Sequence, residues 1–210
     1  MTTSRRDFIK TASVAVGMAA LPSALPTWIG EVDAAETAVA AAVNKNALAD
    51  LALSTARKLG ATYADIRINR YRNEQISTRE KQVQNVSRSQ NFGFGVRVLF
   101  KGTWGFASSR EVTPEEVGRI TRQAVEIARA NSVYQRKRVT LVPASKVNAN
   151  WKSAFEKDPF EVSIDDKIQF LLKLNERAMK TSGVGFVNST MGFVNEQKFY
   201  ASTDGSRIEQ

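Results

Sequence analysis

Phe92-Gly93-Phe94-Gly95-Val96-Arg97-Val98-Leu99-Phe100, then Lys101-Gly102, then Thr103-Trp104-Gly105-Phe106, is the stretch that decides the fold. Phe92, Phe94, Val96, Val98 and Phe100 share one parity. Gly93, Gly95, Arg97 and Leu99 take the other. A period of two is that of a strand, here with one strongly apolar face. Lys101-Gly102 reads as a tight turn, and Trp104 and Phe106 begin the return strand of a hairpin. Gly93-Phe94-Gly95 is no nucleotide-binding loop, because it lies inside a strand and opens no helix.

The same alternation continues upstream. Ala64, Ile66 and Ile68 alternate with Asp65, Arg67 and Asn69 as a half-buried strand. Tyr71 breaks that parity, which predicts a bulge or strand end near Arg70. Ile76 to Ser89 reads as further, less buried strand with a turn at Glu80-Lys81. Before all of these, Asn46 to Leu59 is helical: Leu48, Leu51, Ala52, Ala56 and Leu59 fall on one face, and Gly60 suits the position after the helix.

Downstream, Thr113-Pro114-Glu115-Glu116 is a helix start with a capping Thr, Pro in the first turn and a Glu three residues after the cap. Val117, Ile120, Ala124, Ile127 and Ala128 give that helix an apolar stripe to about Asn131. A short apolar strand is predicted at Val139 to Val142, then irregular chain over 143–162. Ser163-Ile164-Asp165-Asp166 opens another helix, with Ile168, Leu171, Leu172 and Met179 on one side and Gly183 past its end. Val184 to Val194 and Gln197 to Thr203 read as two strands joined near Asn195-Glu196. Tight turns between strands imply an α+β fold, an antiparallel β-sheet built from hairpins with helices packed on one face. The last residues, Ser206-Arg207-Ile208-Glu209, read as the opening of another strand. A chain that stops there at Gln210 is expected to be a fragment of a longer protein.

The chain has 210 residues, with 30 Lys and Arg against 21 Asp and Glu, and neither cysteine nor histidine. The net charge of +9 favours solubility and anionic partners but carries no information about fold. No disulfide or thiolate chemistry is available. A zinc site normally takes His or Cys ligands and a Ser–His relay needs its imidazole, so this chain performs neither alone.

The first residues carry a separate signal. Ser4-Arg5-Arg6-Asp7-Phe8-Ile9-Lys10 resembles the twin-arginine export pattern, with Arg5, Arg6, Phe8 and Lys10 as the residues its receptor reads. The alanine-rich run from Thr11 to Leu25 is too short and mild to span a bilayer, and Val32-Asp33-Ala34 offers small residues for cleavage after Ala34. A disordered basic tail before an Ala-rich helix is the plainer reading. On the export reading, residues 1–34 are a signal peptide, 35–45 a linker and 46–210 the folded domain. The mature protein would then be periplasmic or otherwise extracytoplasmic, with the twin-arginine export machinery as a partner.

Gly60-Ala61-Thr62-Tyr63-Ala64-Asp65-Ile66-Arg67 resembles the opening of the TldD/PmbA family. Gly93-Phe94-Gly95-Val96-Arg97-Val98 followed by Gly102-Thr103-Trp104-Gly105-Phe106-Ala107 is similar to that family's hairpin. Thr203-Asp204-Gly205 matches the polar turn near the end of its N-terminal domain. The resemblance covers about residues 45–210. It implies the N-terminal, substrate-guiding domain of a zinc metallopeptidase that acts on small unfolded peptides. In that family the zinc ligands sit on an H-E-x-x-x-H helix in the following part, and no such motif occurs here. No catalytic or metal-ligating residue is therefore carried over. The chain alone is expected to be inactive and without a cofactor of its own, with zinc in the missing C-terminal part. The expected partners are peptide and either that metal-bearing domain or a paired family subunit. The alternative is a stand-alone exported module that binds peptides or anions.

The candidate contact residues are Gly93, Gly95 and Arg97. The glycines admit either a closely packed helix or a peptide backbone. Arg97 is either an ion-pair partner within the fold or a bidentate partner of a peptide carboxylate. Arg67, Arg70, Arg72, Arg79, Lys81 and Arg88 read as a solvated basic face, and nucleic acid is not expected. Trp104, Trp151 and Phe155 suit a core or a domain interface. Glu115-Glu116 and Asp165-Asp166 sit in first helical turns, where the helix dipole accounts for them.

Overall fold

A computed structural model of the protein describes residues 43–210. Three helices are present in that range: α1 (Lys45–Lys58), α2 (Pro114–Ser132) and α3 (Ile164–Met179). They accompany six strands: β1 (Tyr63–Arg79), β2 (Gln82–Phe100), β3 (Thr103–Ser109), β4 (Asn148–Asn150), β5 (Asn188–Ser202) and β6 (Arg207–Glu209). The strands form one sheet in the order β3-β2-β1-β5-β6-β4. All neighbours are antiparallel except β4 and β6, which run parallel. The fold is the expected α+β layer, with that one parallel pair as an addition. Among the described residues no helix is long and apolar enough to cross a membrane.

Both predicted hairpin turns form. Lys101 and Gly102 have φ values of 50° and 76°, and Glu80 has φ 52°. Around the first turn, Val98 faces Gly105 and Val96 faces Ala107 across β2 and β3. Helices α1 and α2 cover this apolar face. Leu48, Ala52 and Ala56 of α1 and Val117, Ile120 and Ala124 of α2 join Ile66, Phe94, Val96 and Val98 in one core. The glycine that admits a helix is Gly105. A Cβ there would lie 2.1 Å from the carbonyl oxygen of Ala124 and 2.6 Å from the backbone nitrogen of Ala128. Any side chain at 105 would lift α2 from the sheet.

The helix starts behave as their residues dictate. Thr113 Oγ1 accepts from the Glu116 backbone N–H at 3.3 Å, and Ser163 Oγ from that of Asp166 at 3.0 Å. Glu116 departs from the capping-box expectation, because its carboxylate turns to Arg119 at 2.6 Å. Hydrogen bonds from Arg119 and Ser109 hold that carboxyl down at about 2.

Four expectations are corrected. First, β1 does not stop near Arg70. It runs unbroken to Arg79, with its only register shift between Ser77 and Thr78. The even-numbered face stays turned to the helices, so Arg70, Glu74, Ile76 and Thr78 are buried in line with Ile66 and Ile68. Second, Val139 to Val142 is not a strand; Val142 is 86% exposed, while Val139 is half-buried and donates its N–H to the Gly102 carbonyl at 2.8 Å. Third, β5 is one strand through Asn195-Glu196, paired with β1 from Asp65–Ser202 to Arg79–Asn188. Fourth, α3 turns Lys167, Leu171 and Asn175 to the sheet; of the four apolar residues expected on one side, Leu171 is buried, Ile168 and Leu172 are half-buried and Met179 is exposed.

The cause of the fourth correction lies on β1. Beyond β3, the sheet narrows to β2, β1 and β5, and α3 meets Glu74 and Thr78 there. Lys167 Nζ donates to Glu74 Oε1, and Arg88 Nε donates to Glu74 Oε2 at 2.6 Å. Asn175 Nδ2 donates to Thr78 Oγ1 at 3.0 Å and to the Glu80 carbonyl at 2.9 Å. Its Oδ1 accepts from Ser189 Oγ at 2.6 Å. A polar helix face is buried here because a polar strand face requires it.

Candidate functional site

Alternation on the first three strands leaves one sheet face that no helix covers among the described residues. Asp65, Arg67, Asn69 and Tyr71 of β1 point there, with Gly93, Gly95 and Arg97 of β2 and Phe106 and Ser108 of β3. Together with Arg110 they line a shallow trough of about 570 Å³. The three candidate contact residues therefore fall in one place. The signal residues Arg5, Arg6, Phe8, Lys10 and Ala34 lie outside the described residues.

The glycines form the floor, and neither meets a helix. A Cβ on Gly95 would sit 2.8 Å from the Phe106 ring, and one on Gly93 would sit 2.8 Å from the Ser109 carbonyl oxygen. Gly95 makes room for Phe106, which has 58% of its surface exposed, and Gly93 for the backbone of Ser109 and Arg110. Helix clearance, one of the two sequence readings, belongs to Gly105 on the other face.

Arg97 has its ion-pair partner within the fold. Its Nε and Nη2 donate to Asp65 Oδ2 at 2.9 and 2.7 Å. Asp65 is 1% exposed, and Arg67 stands 3.8 Å from its other oxygen. The Arg97 guanidinium also lies 4.5 Å from the centre of the Trp104 ring. Trp104 in turn meets Tyr63 edge to face at 5.8 Å. Burial opposes the charge on Arg97, but the bonds from Asp65 outweigh it and raise its pKa. Tyr63 shares a hydrogen bond with Tyr200 at 2.9 Å. Burial first, then Tyr200 and the Asp65 charge, push this phenol far above the normal range. Neither group is an acid or base at neutral pH.

The other end of the trough is polar. Tyr71 donates to Glu196 Oε1 at 2.5 Å, which raises the phenol, and Lys198 followed by Tyr71 lowers Glu196. Asn69 Nδ2 reaches the Tyr71 hydroxyl at 3.4 Å, while its buried Oδ1 has no partner among the described residues. The trough thus offers guanidinium donors, one unused amide acceptor and an exposed ring. That chemistry suits a ligand held by hydrogen bonds and an apolar contact.

The basic strands divide between the two faces, which corrects the reading of a single solvated face. Arg67 and Arg79 are exposed, whereas Arg70 is 8% exposed and Arg72 stacks 4.5 Å from the Phe160 ring centre. Sequence reasoning missed Asp65 and Glu74 as organising carboxylates. The parity of Ile66, Ile68 and Ile76 pointed to Glu74, since all four share the buried face. Of the three aromatics assigned to a core or interface, Trp104 is partly buried, while Trp151 and Phe155 are 56% and 52% exposed.

The residues do not fit a zinc site. The sequence has no His or Cys, and among the described residues no three carboxylates gather.

Residues 64–128, from β1 through α2, match the family model described as PmbA/TldA metallopeptidase domain 1. The chain is 27% identical over 147 residues to a metalloprotease of Methanocaldococcus jannaschii, covering 70% of this chain and 32% of that protein. It is 29% identical over 82 residues to a zinc metalloprotease TldD homolog of Saccharolobus solfataricus, covering 39% of this chain and 18% of that one. The chain spans a third or less of the length of these curated relatives. Two solved structures share the fold. A protein described as a candidate modulator of DNA gyrase, from Bacteroides thetaiotaomicron, aligns with a TM-score of 0.61 at 20% identity, covering 80% of this chain and 39% of its own. TldE from Thermococcus kodakarensis aligns at 0.57 and 17% identity, covering 75% and 35%.

Proposed function

We propose that this chain is the N-terminal, substrate-guiding domain of an exported TldD/PmbA-type zinc metallopeptidase that acts on small, unfolded peptides. The observation that carries this reading is the match over residues 64–128, which are the strands and helix that build and back the trough. Zinc and the hydrolytic step belong to a separate metal-bearing part, because this chain has neither His nor Cys to hold the metal. The role left to the domain is to receive and orient peptide. The exposed Phe106 ring suits an apolar side chain, and the trough guanidinium groups suit a carboxylate.

The test is reconstitution. The chain alone should contain no stoichiometric zinc by elemental analysis and should cleave no peptide. Addition of a subunit carrying H-E-x-x-x-H should give chelator-sensitive cleavage of short peptides that exceeds the activity of that subunit alone. Tight zinc with chelator-sensitive peptidase activity in the isolated chain overturns the division of labour. The stand-alone binding module is favoured instead if the chain binds short acidic peptides tightly yet leaves the metal-bearing subunit's cleavage unchanged.

Export rests on Ser4 to Lys10 and on Ala34. The double variant Arg5→Lys, Arg6→Lys should leave uncleaved precursor in the cytoplasm, read by fractionation and by the N-terminal sequence. Normal export and processing of that variant removes the twin-arginine part of the proposal.

A further inference from the structure

The segment that leaves α2 holds an unusual charge pattern. Between Glu126 and Glu156 the sequence contains no acidic residue but six cations: Arg129, Arg136, Lys137, Arg138, Lys146 and Lys152. The same segment carries Val142, Tyr134 and Val133, exposed by 86%, 85% and 78%. These are the three most exposed large apolar side chains among the described residues. Burying apolar surface is favourable, so three such groups in water beside a cationic run need a reason.

The segment has a set path over the folded domain. Tyr134 and Gln135 both donate their backbone N–H to the Asn131 carbonyl at 3.1 Å, closing the end of α2. Gln135 Nε2 donates to the Lys137 carbonyl at 2.8 Å. The Val139 N–H then ties the run to the β2–β3 turn through Gly102. Arg138 packs so closely there that a Cβ on Gly102 would lie 2.6 Å from its Cβ. Lys101 and Arg129 both stand over the Phe100 ring, at 5.6 and 5.1 Å. The turn and the segment therefore join their cations at one end of the sheet.

We infer that this end of the domain, formed by residues 133–142 and the Lys101-Gly102 turn, docks on an anionic lipid bilayer surface. Cations near such a surface are drawn to its headgroups, and exposed apolar side chains enter the boundary with the acyl chains. A nucleic acid would satisfy the charges but leave the two valines without a role, since its non-specific recognition uses phosphates and aromatic stacking. The inference does not depend on peptide cleavage.

The test uses the full chain and large vesicles of equimolar phosphatidylglycerol and phosphatidylcholine, against vesicles of phosphatidylcholine alone. The chain should co-sediment more strongly with the anionic vesicles, and the difference should shrink as salt rises. The triple variant Arg136→Gln, Lys137→Gln, Arg138→Gln should lose about tenfold or more of that difference. All three side chains are exposed, so circular dichroism and melting should match the parent. The double variant Tyr134→Ser, Val142→Ser should weaken binding while keeping its salt dependence. No preference for anionic vesicles, or an unchanged preference in the triple variant, overturns the inference. So does duplex DNA binding that the triple variant loses while vesicle binding persists, which assigns the patch to nucleic acid.

Discussion

Glu74→Gln is expected to destabilise the domain by about 3–5 kcal/mol, the usual cost of removing one partner from a buried ion pair. The Glu74 side chain is 0% exposed and holds two cations, one of which, Lys167, is itself 4% exposed. With glutamine in its place, the Lys167 ammonium stays buried between α3 and the sheet with a neutral amide oxygen and the Phe193 ring, 4.9 Å from its nitrogen, but no counter-charge. Arg88 is 39% exposed and can turn to water, so the loss falls mainly on Lys167. Replacing both buried partners, as Glu74→Leu with Lys167→Met, should recover most of the stability, because an apolar pair of similar volume avoids desolvating two charges. Urea titrations of the parent, single and double variants measure this. A single variant as stable as the parent, or a double variant as weak as the single, would show that α3 is not held through this pair.

The same contact sets an acid limit. Burial alone would raise the Glu74 pKa, but the bonds from Lys167 and Arg88 outweigh it and leave it below the usual carboxylate range. A group with a depressed folded pKa contributes fully above its unfolded value, near 4.3 for Glu, and loses that contribution as pH falls through the folded value. Stability should therefore drop more steeply below about pH 4 in the parent than in the double variant.

The first three strands were legible because one property, alternation, was tied to one cause, an apolar face under two helices. Phe92 to Phe100 shows that pattern without interruption, and its turn and partner strand followed. Legibility failed where burial stopped being apolar. Arg70 and Glu74 continue the buried parity of Ile66 and Ile68, yet as charged residues they read as surface, and the apolar ring of Tyr71 on the outward parity made one strand look like two. The helix α3 and its Ser163 cap were legible, but its buried face was not, since Lys167 and Asn175 are buried where Glu74 and Thr78 stand opposite them. Neither side of such a pair can be read alone. The trough was half legible: its glycines and arginine stood out by type, but Asp65 and Asn69 look like ordinary outward residues until the register sets them beside Arg97 and Gly93.

Phe94→Ala and Arg97→Ala lie three residues apart on β2 and should fail in different ways. Phe94 is 4% exposed within the core between the sheet and the helices. Deleting a buried Phe side chain removes its transfer free energy and leaves a cavity, about 3–5 kcal/mol in all. For a domain of this size that lowers the melting temperature by roughly 10 °C or more. The Phe94 side chain packs in the core under the helices, with the trough glycines on the opposite parity, so cleavage per folded molecule in the reconstituted assembly should be unchanged. Arg97 faces the other way. Its removal strips Asp65 of both hydrogen bonds from that guanidinium and leaves Arg67 at 3.8 Å as the nearest cation, a cost of about 1–3 kcal/mol. It also removes one of the two trough guanidinium groups that would hold peptide, leaving Arg67 opposite Gly95. Arg97→Ala should therefore melt at a higher temperature than Phe94→Ala while losing more kcat/KM per folded molecule. Arg97→Lys keeps the charge but not the two-point contact, and should fall between the parent and Arg97→Ala in both measures. If Arg97→Ala cleaves as well as the parent once corrected for folded protein, the guanidinium serves Asp65 alone and the trough does not guide peptide through it.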